Sequence, residues 1–495
     1  MTMKKFIIFT LTIFILSSCE DVLDINTNPN ASTEVPPGTL LTNAAISLSQ
    51  NRLNTLNPDA AAFIQHWKPV VVLTGPDTYV YSQIGNNNFW TFTFYTDVIK
   101  DLNLALLSAE EAGNNNAAAQ IKITQAFGWL HGVDRWGEMP FTESNVPGIT
   151  APAFDDGEVI YQGIIDILDE AIAAIDLSNQ SEGNTIVEFD PLYAGNMDNW
   201  LAFANSLKLR VLMRVSYVED RSEDISQLLN SDAEFIDAIS GDENAEFQYL
   251  PSRENQNFDY ATFDNFTGLG SFQLDENGNR VHQRWRLASK TMVDILEADN
   301  DPRINAFFQP NITNPGTDIE GAVNGGGPLP DIVDRGYVSL FYIRQDKSDE
   351  WLLASEQYLL EAEAYARGLV TGAGMAEAQE ALENGIQASL NHFDGSDFEI
   401  AQSEKDAFIA SLPDLSAISE PVEYIHLQQY ITLFYNSNEA WSNWRRTKVP
   451  ELPVPVGAPI ETIIRRIEIP SDELDNNPNS PAVSPLIDLP VYFER

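Results

Sequence analysis

The 495-residue chain contains a single cysteine, Cys19, so it has no partner for an internal disulfide. Basic residues are also scarce: 28 lysines and arginines stand against 73 aspartates and glutamates, and the formal net charge is −45. A nucleic-acid-binding surface needs clustered Lys and Arg to neutralise phosphates. The composition therefore excludes nucleic acid as a partner, and most of the surface would repel a polyanionic ligand.

Chemistry-bearing motifs are equally scarce. None of the five histidines belongs to an HExxH motif or another close metal-binding pair, and there is no P-loop, no GxSxG elbow and no dinucleotide-binding glycine pattern. We therefore predict no catalytic residue, no cofactor and no transition-metal site. Glycoside hydrolysis stays open on motif grounds because it needs only two suitably separated carboxylates.

A weak calcium pattern is present at Asp275, Asn277 and Asn279, which place oxygen ligands at alternate positions. No glutamate closes this loop, and its glycine, Gly278, is not at the sixth position. Residues 276–279 are more typical of a tight hairpin turn. A structural calcium ion is thus the alternative to a simple turn.

Long apolar runs are missing as well. The longest, residues 6–16, is too short for a membrane-spanning helix, which needs about 20 apolar residues. Lys4 and Lys5 precede it, and two serines followed at once by Cys19 end it, an arrangement typical of a lipoprotein signal peptide. We predict that lipid on Cys19 makes the only membrane contact.

Apolar residues recur at helical spacing through most of the remaining chain. The clearest stripe starts after Asp155 and Glu158, which are spaced as a capping box, and consists of Ile160, Ile164, Ile167, Leu168, Ala171, Ile172 and Ile175. Such segments come in pairs separated by short polar turns, which favours tetratricopeptide-like helix pairs. The predicted fold class is mainly α, with an irregular loop-rich half that contains a few short strands.

Three segments break the helical pattern and are rich in Gly, Asn, Asp, Pro and aromatic residues: 74–89, 242–286 and 309–349. Long loops of this kind usually carry function. We interpret them as ligand-binding insertions in one domain. The predicted order is a signal peptide, a flexible lipidated tether and that domain, at residues 1–18, 19–38 and 39–495.

The aromatic residues of these loops suggest a carbohydrate ligand. The C–H faces of sugars pack on aromatic rings, while amides and charged groups bond to the hydroxyls. The predicted ligand-binding residues are Asp77, Tyr79, Tyr81, Tyr260, Arg284, Trp285, Tyr337 and Tyr342. For each aromatic residue the alternative is packing against the helices.

Several segments, in their order along the chain, resemble the SusD/RagB family of outer-membrane nutrient-binding lipoproteins of Bacteroidetes, in its SusD-like branch. The similar segments include residues 24–30 (Asp-Ile-Asn-Thr-Asn-Pro-Asn), 119–141, 161–175, 200–214, 300–303, 355–364, 444–447 and 465–470. Arg445 and Arg446, in one of these, are candidates either for a ligand clamp or for satisfying buried carboxylates and helix carbonyls.

The resemblance implies four tetratricopeptide-like helix pairs and a ligand site in the loop-rich half. It also implies a lid on a SusC-like TonB-dependent transporter, and Glu20 and Asp21 resemble the family's cell-surface export signal. We therefore expect a non-enzymatic, surface-exposed glycan-binding protein of the outer membrane. The negative charge favours a neutral oligosaccharide such as a β-glucan. The alternatives are a peptide cargo, a glycoside hydrolase, or a lid without ligand affinity.

Overall fold

The computed structural model describes residues 35–70, 75–80, 87–265, 272–274, 280–283, 285–311, 318–325 and 335–495. The predicted signal peptide, Cys19 and most of the predicted tether lie outside these ranges. Residues 37–495 form one compact unit, and all the helices and strands given below belong to it.

Helices dominate the described part of the chain, and few strands interrupt them. The sixteen α-helices are α1 (Pro37–Asn51), α2 (Asn57–Phe63), α3 (Asp101–Ala112), α4 (Asn115–Trp136), α5 (Gly157–Ala174), α6 (Met197–Val215), α7 (Ser222–Leu229), α8 (Phe258–Asn265), α9 (Lys290–Ala298), α10 (Ile304–Phe307), α11 (Ala354–Ala366), α12 (Met375–Asn391), α13 (Gln402–Ser411), α14 (Pro421–Thr432), α15 (Ser437–Thr447) and α16 (Ser471–Asn476). Two π-helical segments, Arg52–Leu56 and Phe89–Lys100, join α1 to α2 and lead into α3. No helix among the described residues is both long and apolar enough to cross a membrane.

Consecutive helices pack against each other across short or loop-bearing connections, among them α3 with α4, α4 with α5, α5 with α6, α11 with α12, and α14 with α15. The predicted stripe of α5 faces inward, with Ile160, Ile164, Leu168 and Ala171 fully buried. The mainly α fold with helix pairs and a few short strands is therefore confirmed.

The predicted capping box of α5 is wrong. The residue before the helix is Asp156, and its side chain makes no capping hydrogen bond. Asp155 instead accepts hydrogen bonds from the backbone of Phe141 and Thr142, at 3.0 and 2.8 Å. Its carboxylate thus holds the turn after α4 beside the start of α5, a long-range contact that local spacing does not reveal.

The strands form three small antiparallel sheets. Their bounds are β1 (Trp67–Pro69), β2 (Ala245–Phe247), β3 (Phe272–Leu274), β4 (Arg280–Gln283), β5 (Arg286–Ala288), β6 (Phe308–Gln309), β7 (Tyr337–Val338) and β8 (Asp349–Leu352). One sheet has the order β1-β5-β7-β6, while β2 pairs with β8 and β3 with β4. Apart from β1, these strands lie in the predicted loop segments or immediately next to them. The described part of the loop-rich half is therefore built on these sheets.

Buried ion pairs connect helices that are distant in sequence. Arg210 of α6 donates to both carboxylate oxygens of Glu356 in α11, at 2.6 and 2.7 Å. Arg214, one turn later, pairs with Glu439 of α15 at 2.5 Å. Because a buried charge is costly without a partner, these contacts fix how the helix pairs are arranged.

Arg445 and Arg446 also connect distant parts of the helical fold. Arg446 forms two parallel bonds to Glu363 of α11, at 2.5 and 2.6 Å. Arg445 donates to the backbone oxygens of Asp134 and Arg465, at 2.6 and 2.9 Å. Both arginines are buried, so their role is structural. The alternative of a ligand clamp is not supported.

Candidate ligand-binding surface

Asp77 is the anchor of its loop. Its carboxylate pairs with Lys68 of β1 at 2.5 Å and accepts from Asn324 Nδ2 at 2.9 Å and from the Gly325 backbone at 3.0 Å. Only 5% of Asp77 is exposed. These contacts tie residues 75–80 to the sheet, and the burial argues against the predicted direct contact between Asp77 and a ligand.

Tyr79 is also a packing residue in this structure. Its backbone is left-handed, with φ at 57°, and its ring is 1% exposed beside Phe63. The hydroxyl donates to the Phe63 carbonyl at 3.0 Å. Burial, together with the nearby Asp77 charge, raises the pKa of Tyr79. For Tyr79 the geometry therefore supports the packing alternative.

Among the described residues, most of the other aromatic side chains that were predicted to bind ligand are buried. Tyr342 stacks on Tyr435 with ring centres 4.6 Å apart, and Tyr337 lies edge-on to His282 at 4.6 Å. Trp285 is half-buried against the core. For Tyr342 and Tyr337 the geometry supports the packing alternative rather than ligand contact.

Tyr260 is covered by Arg280, which was not among the predicted ligand-binding residues. The guanidinium of Arg280, in β4, lies 4.6 Å above the Tyr260 ring and 4.7 Å above that of Phe272 in β3. Desolvation lowers the pKa of Arg280. The predicted site residues Tyr81 and Arg284, and the predicted calcium ligands at 275, 277 and 279, lie outside the described residues.

A cleft opens beside the loop that Asp77 anchors, and we call it the Val80 cleft. Its volume is about 300 Å³, and it is lined by Tyr79, Val80, Pro459, Ile460, Glu468, Leu486, Ile487 and Asp488. Val80 and Leu486 are 46% and 62% exposed. The lining thus combines an apolar floor with two carboxylates, which suits a ligand with C–H faces and hydroxyl groups.

Electrostatics at the cleft disfavours an anionic ligand. Burial raises the pKa of Glu468 from its ordinary value. Glu468 and Asp488 add local negative charge to a chain whose net charge is already −45. An anionic ligand would meet repulsion here, whereas hydroxyl groups can donate hydrogen bonds to both carboxylates.

One wall of this region is fixed by a close backbone approach. Gly325, which Asp77 holds through its amide, pairs with Val456 in a parallel bridge. Its φ is 104°, and a Cβ at this position would overlap the Val456 backbone. The loop that carries Val80 and the C-terminal segment are therefore both held next to β1. The contribution of the C-terminal segment could not be predicted from sequence, because its only signal is apolar residues among prolines after residue 450.

Residues 29–470 match a SusD-like family model described as "Starch-binding associating with outer membrane". The chain belongs to the SusD-like family. The predicted resemblance is thus confirmed, and the match extends over most of the residues that carry the helix pairs and the sheets. No curated protein matches the sequence.

Solved structures share the fold of this SusD-like protein. A chitin-binding protein has a TM-score of 0.72 and 23% identity, covering 90% of this chain and 95% of its own. A SusD-like protein of Bacteroidetes has a TM-score of 0.73 and 20% identity, covering 89% and 95%. A SusD homologue from Bacteroides fragilis has a TM-score of 0.69 and 21% identity, covering 90% and 94%.

A second, wider cleft of this SusD-like protein is strongly acidic. Its volume is about 1080 Å³, and its acidic lining residues are Glu297, Asp299, Asp301, Asp318 and Glu404. Asp301 is already paired with Arg303 at 2.5 Å. Burial, with the nearby Asp301 charge, raises the pKa of Asp299. This cleft favours positively charged groups over neutral ones.

Proposed function

We propose that this protein binds a neutral oligosaccharide at the Val80 cleft, without hydrolysing it, and delivers it to a SusC-like TonB-dependent transporter in the outer membrane. The family membership over residues 29–470 carries the proposal, because the family is described as starch-binding and associated with the outer membrane. The chitin-binding protein of the same fold supports a glycan ligand. The apolar floor and two carboxylates of the cleft supply the matching chemistry.

Three substitutions test the cleft as the glycan site. Val80→Asp places a charge on the apolar floor and should weaken glycan binding at least tenfold, about 1.4 kcal/mol. Glu468→Gln and Asp488→Asn keep the shapes but replace carboxylate acceptors, so each should weaken binding several-fold. Isothermal calorimetry against starch-derived, chitin-derived and β-glucan oligosaccharides measures these affinities.

Glu111→Gln, an exposed substitution in α3 and outside the predicted ligand-binding segments, is the matched control and should bind like the wild type. Unchanged affinity in Val80→Asp would place the ligand elsewhere. The same samples also test the alternative of a hydrolase, because new reducing ends after incubation with the bound glycan would contradict a non-enzymatic role.

The predicted lipid anchor on Cys19 should be required for glycan uptake but not for glycan binding. A Cys19→Ala protein cannot receive the thioether-linked lipid, so it should be recovered in the aqueous fraction with unchanged glycan affinity. Cells that carry it should lose growth on the glycan. Ser32→Ala, in the predicted tether, is the control, and normal growth of the Cys19→Ala strain would contradict anchoring as a requirement.

A peptide cargo is the second candidate, and the acidic cleft is the observation that favours it. Its carboxylates would attract lysine or arginine side chains, whose binding should weaken as salt increases. Binding of basic peptides, with no retention of any neutral glycan in the same panel, would replace the glycan proposal.

A further inference from the structure

Two glutamates face each other across a short sheet. Glu246 of β2 is the register partner of Glu350 in β8, next to a bulge between Ala245 and Glu246. Like charges directly opposite each other destabilise a strand pair, and bulges commonly redirect a side chain near a functional site. A positive charge between the two carboxylates would therefore stabilise this pairing.

A histidine from a distant helix completes the group. His392, which follows α12, has its Nε2 atom 2.9 Å from Glu350 Oε1. One potential ligand atom from each of Glu246, Glu350 and His392 lies within 4.8 Å of the others. Two strands and one helix end thus bring a nitrogen and two carboxylates to one point.

The charges already present leave this point negative. Lys347 forms an ion pair with Glu350 through Oε1. Glu246 accepts only a neutral hydrogen bond, from Ser348 at 2.9 Å, among the contacts of the described residues. With His392 neutral, the form that binds a metal, one ammonium faces two carboxylates.

Space for a metal ion and its waters lies beside these groups. Glu246 and His392 line a cavity of about 320 Å³, whose other polar and charged lining residues include Ser348, Asn391, Arg344, Lys347 and Asp394. A carboxylate offers about four lone-pair sites on its two oxygens, so Glu350 can keep Lys347 and still ligate a metal. Water molecules can complete the coordination from the cavity.

We propose that Glu246, Glu350 and His392 bind one divalent transition-metal ion, with Zn²⁺ as the best match. Zn²⁺ combines histidine nitrogen with carboxylate oxygen, whereas Ca²⁺ and Mg²⁺ prefer oxygen ligands alone. The bound ion would join β2, β8 and the end of α12. The site goes beyond the proposed glycan binding and does not depend on it.

Calorimetric titration of ZnCl₂ into the metal-free full-length protein tests the site. The wild type should bind one Zn²⁺ per chain, and His392→Ala and Glu246→Gln should each weaken this binding at least tenfold. Glu254→Gln, an acidic-to-amide change at an exposed position, is the matched control and should bind like the wild type. CaCl₂ should bind at least tenfold more weakly than ZnCl₂.

Lys347→Met distinguishes a metal site from a cluster in which Lys347 is the only counter-charge to the two carboxylates. Without the competing ammonium, Zn²⁺ should bind more tightly and should raise the melting temperature by more than it does in the wild type. Failure of the wild type to bind Zn²⁺, unchanged affinity in His392→Ala, or tighter binding of Ca²⁺ than Zn²⁺ would each overturn the proposal. Glycan affinity, measured on the same variants, should not change.

Discussion

Replacing Glu363 by alanine should lower the free energy of unfolding by about 3–5 kcal/mol, the usual cost of removing one partner of a buried ion pair. Glu363 is fully buried in α11, and both of its oxygens accept from Arg446 of α15. Gln429 and Arg367 also donate to it, at 3.0 and 2.9 Å. The substitution leaves the Arg446 guanidinium buried without its carboxylate. Urea unfolding followed by circular dichroism measures the loss.

The same pair predicts how stability depends on pH. Burial alone would raise the pKa of Glu363, but Arg446 and His426 outweigh it and hold this pKa well below its ordinary value of 4.5. A carboxyl whose pKa is depressed by folding stabilises the protein above its unfolded pKa. This contribution is lost as the pH falls below about 4.5 and through the folded pKa. Between pH 7 and pH 3 the wild type should therefore lose more stability than Glu363→Ala.

A double variant distinguishes the lost ion pair from general damage to the core. Glu363→Leu combined with Arg446→Met replaces both charges with apolar groups, a change that is often neutral or stabilising at buried pairs. It should be more stable than Glu363→Ala alone. If the double variant loses as much stability as the sum of the two single variants, the two side chains are not energetically coupled.

The helical half could be predicted from sequence because its signal is local. The stripe from Ile160 to Ala171 repeats at helical spacing within one segment, and its residues pack as expected. The caps and ion pairs could not be predicted in the same way. Asp155 binds backbone fourteen residues away, and Arg210 binds Glu356 across the chain. Such partners are set by tertiary packing, which periodicity does not encode.

The candidate site was predicted less well, for a related reason. Composition located the loop-rich segments, and Val80 lies in one of them. It could not distinguish an exposed ring from a buried one, and Tyr79 and Tyr342 proved to pack in the core. It also missed Glu468 and Leu486, because the C-terminal segment reaches the cleft only through the fold.

Lys68→Met should also destabilise the protein by about 3–5 kcal/mol, because it leaves the buried Asp77 carboxylate without its counter-charge. Lys68 is 3% exposed and holds both Asp77 and the Gly325 carbonyl, the latter at 2.8 Å. Losing it should also release residues 75–80 from β1 and displace Val80. Glycan affinity should therefore fall, although Lys68 does not line the cleft. Thermal unfolding and calorimetry on the same sample measure the two effects.

Adding Asp77→Asn to Lys68→Met removes the unpaired charge and keeps one oxygen, which can accept from the Gly325 amide, while the bond from Asn324 to the other oxygen is lost. This double variant should recover part of the lost stability and, because Gly325 again holds the loop, part of the glycan affinity. A Lys68→Met protein that melts like the wild type would contradict the buried pair. Recovery of stability without recovery of affinity would show that the loop conformation of residues 75–80 does not govern the Val80 cleft. Recovery of both stability and affinity would show that Asp77 affects binding by positioning Val80 rather than by contacting the ligand.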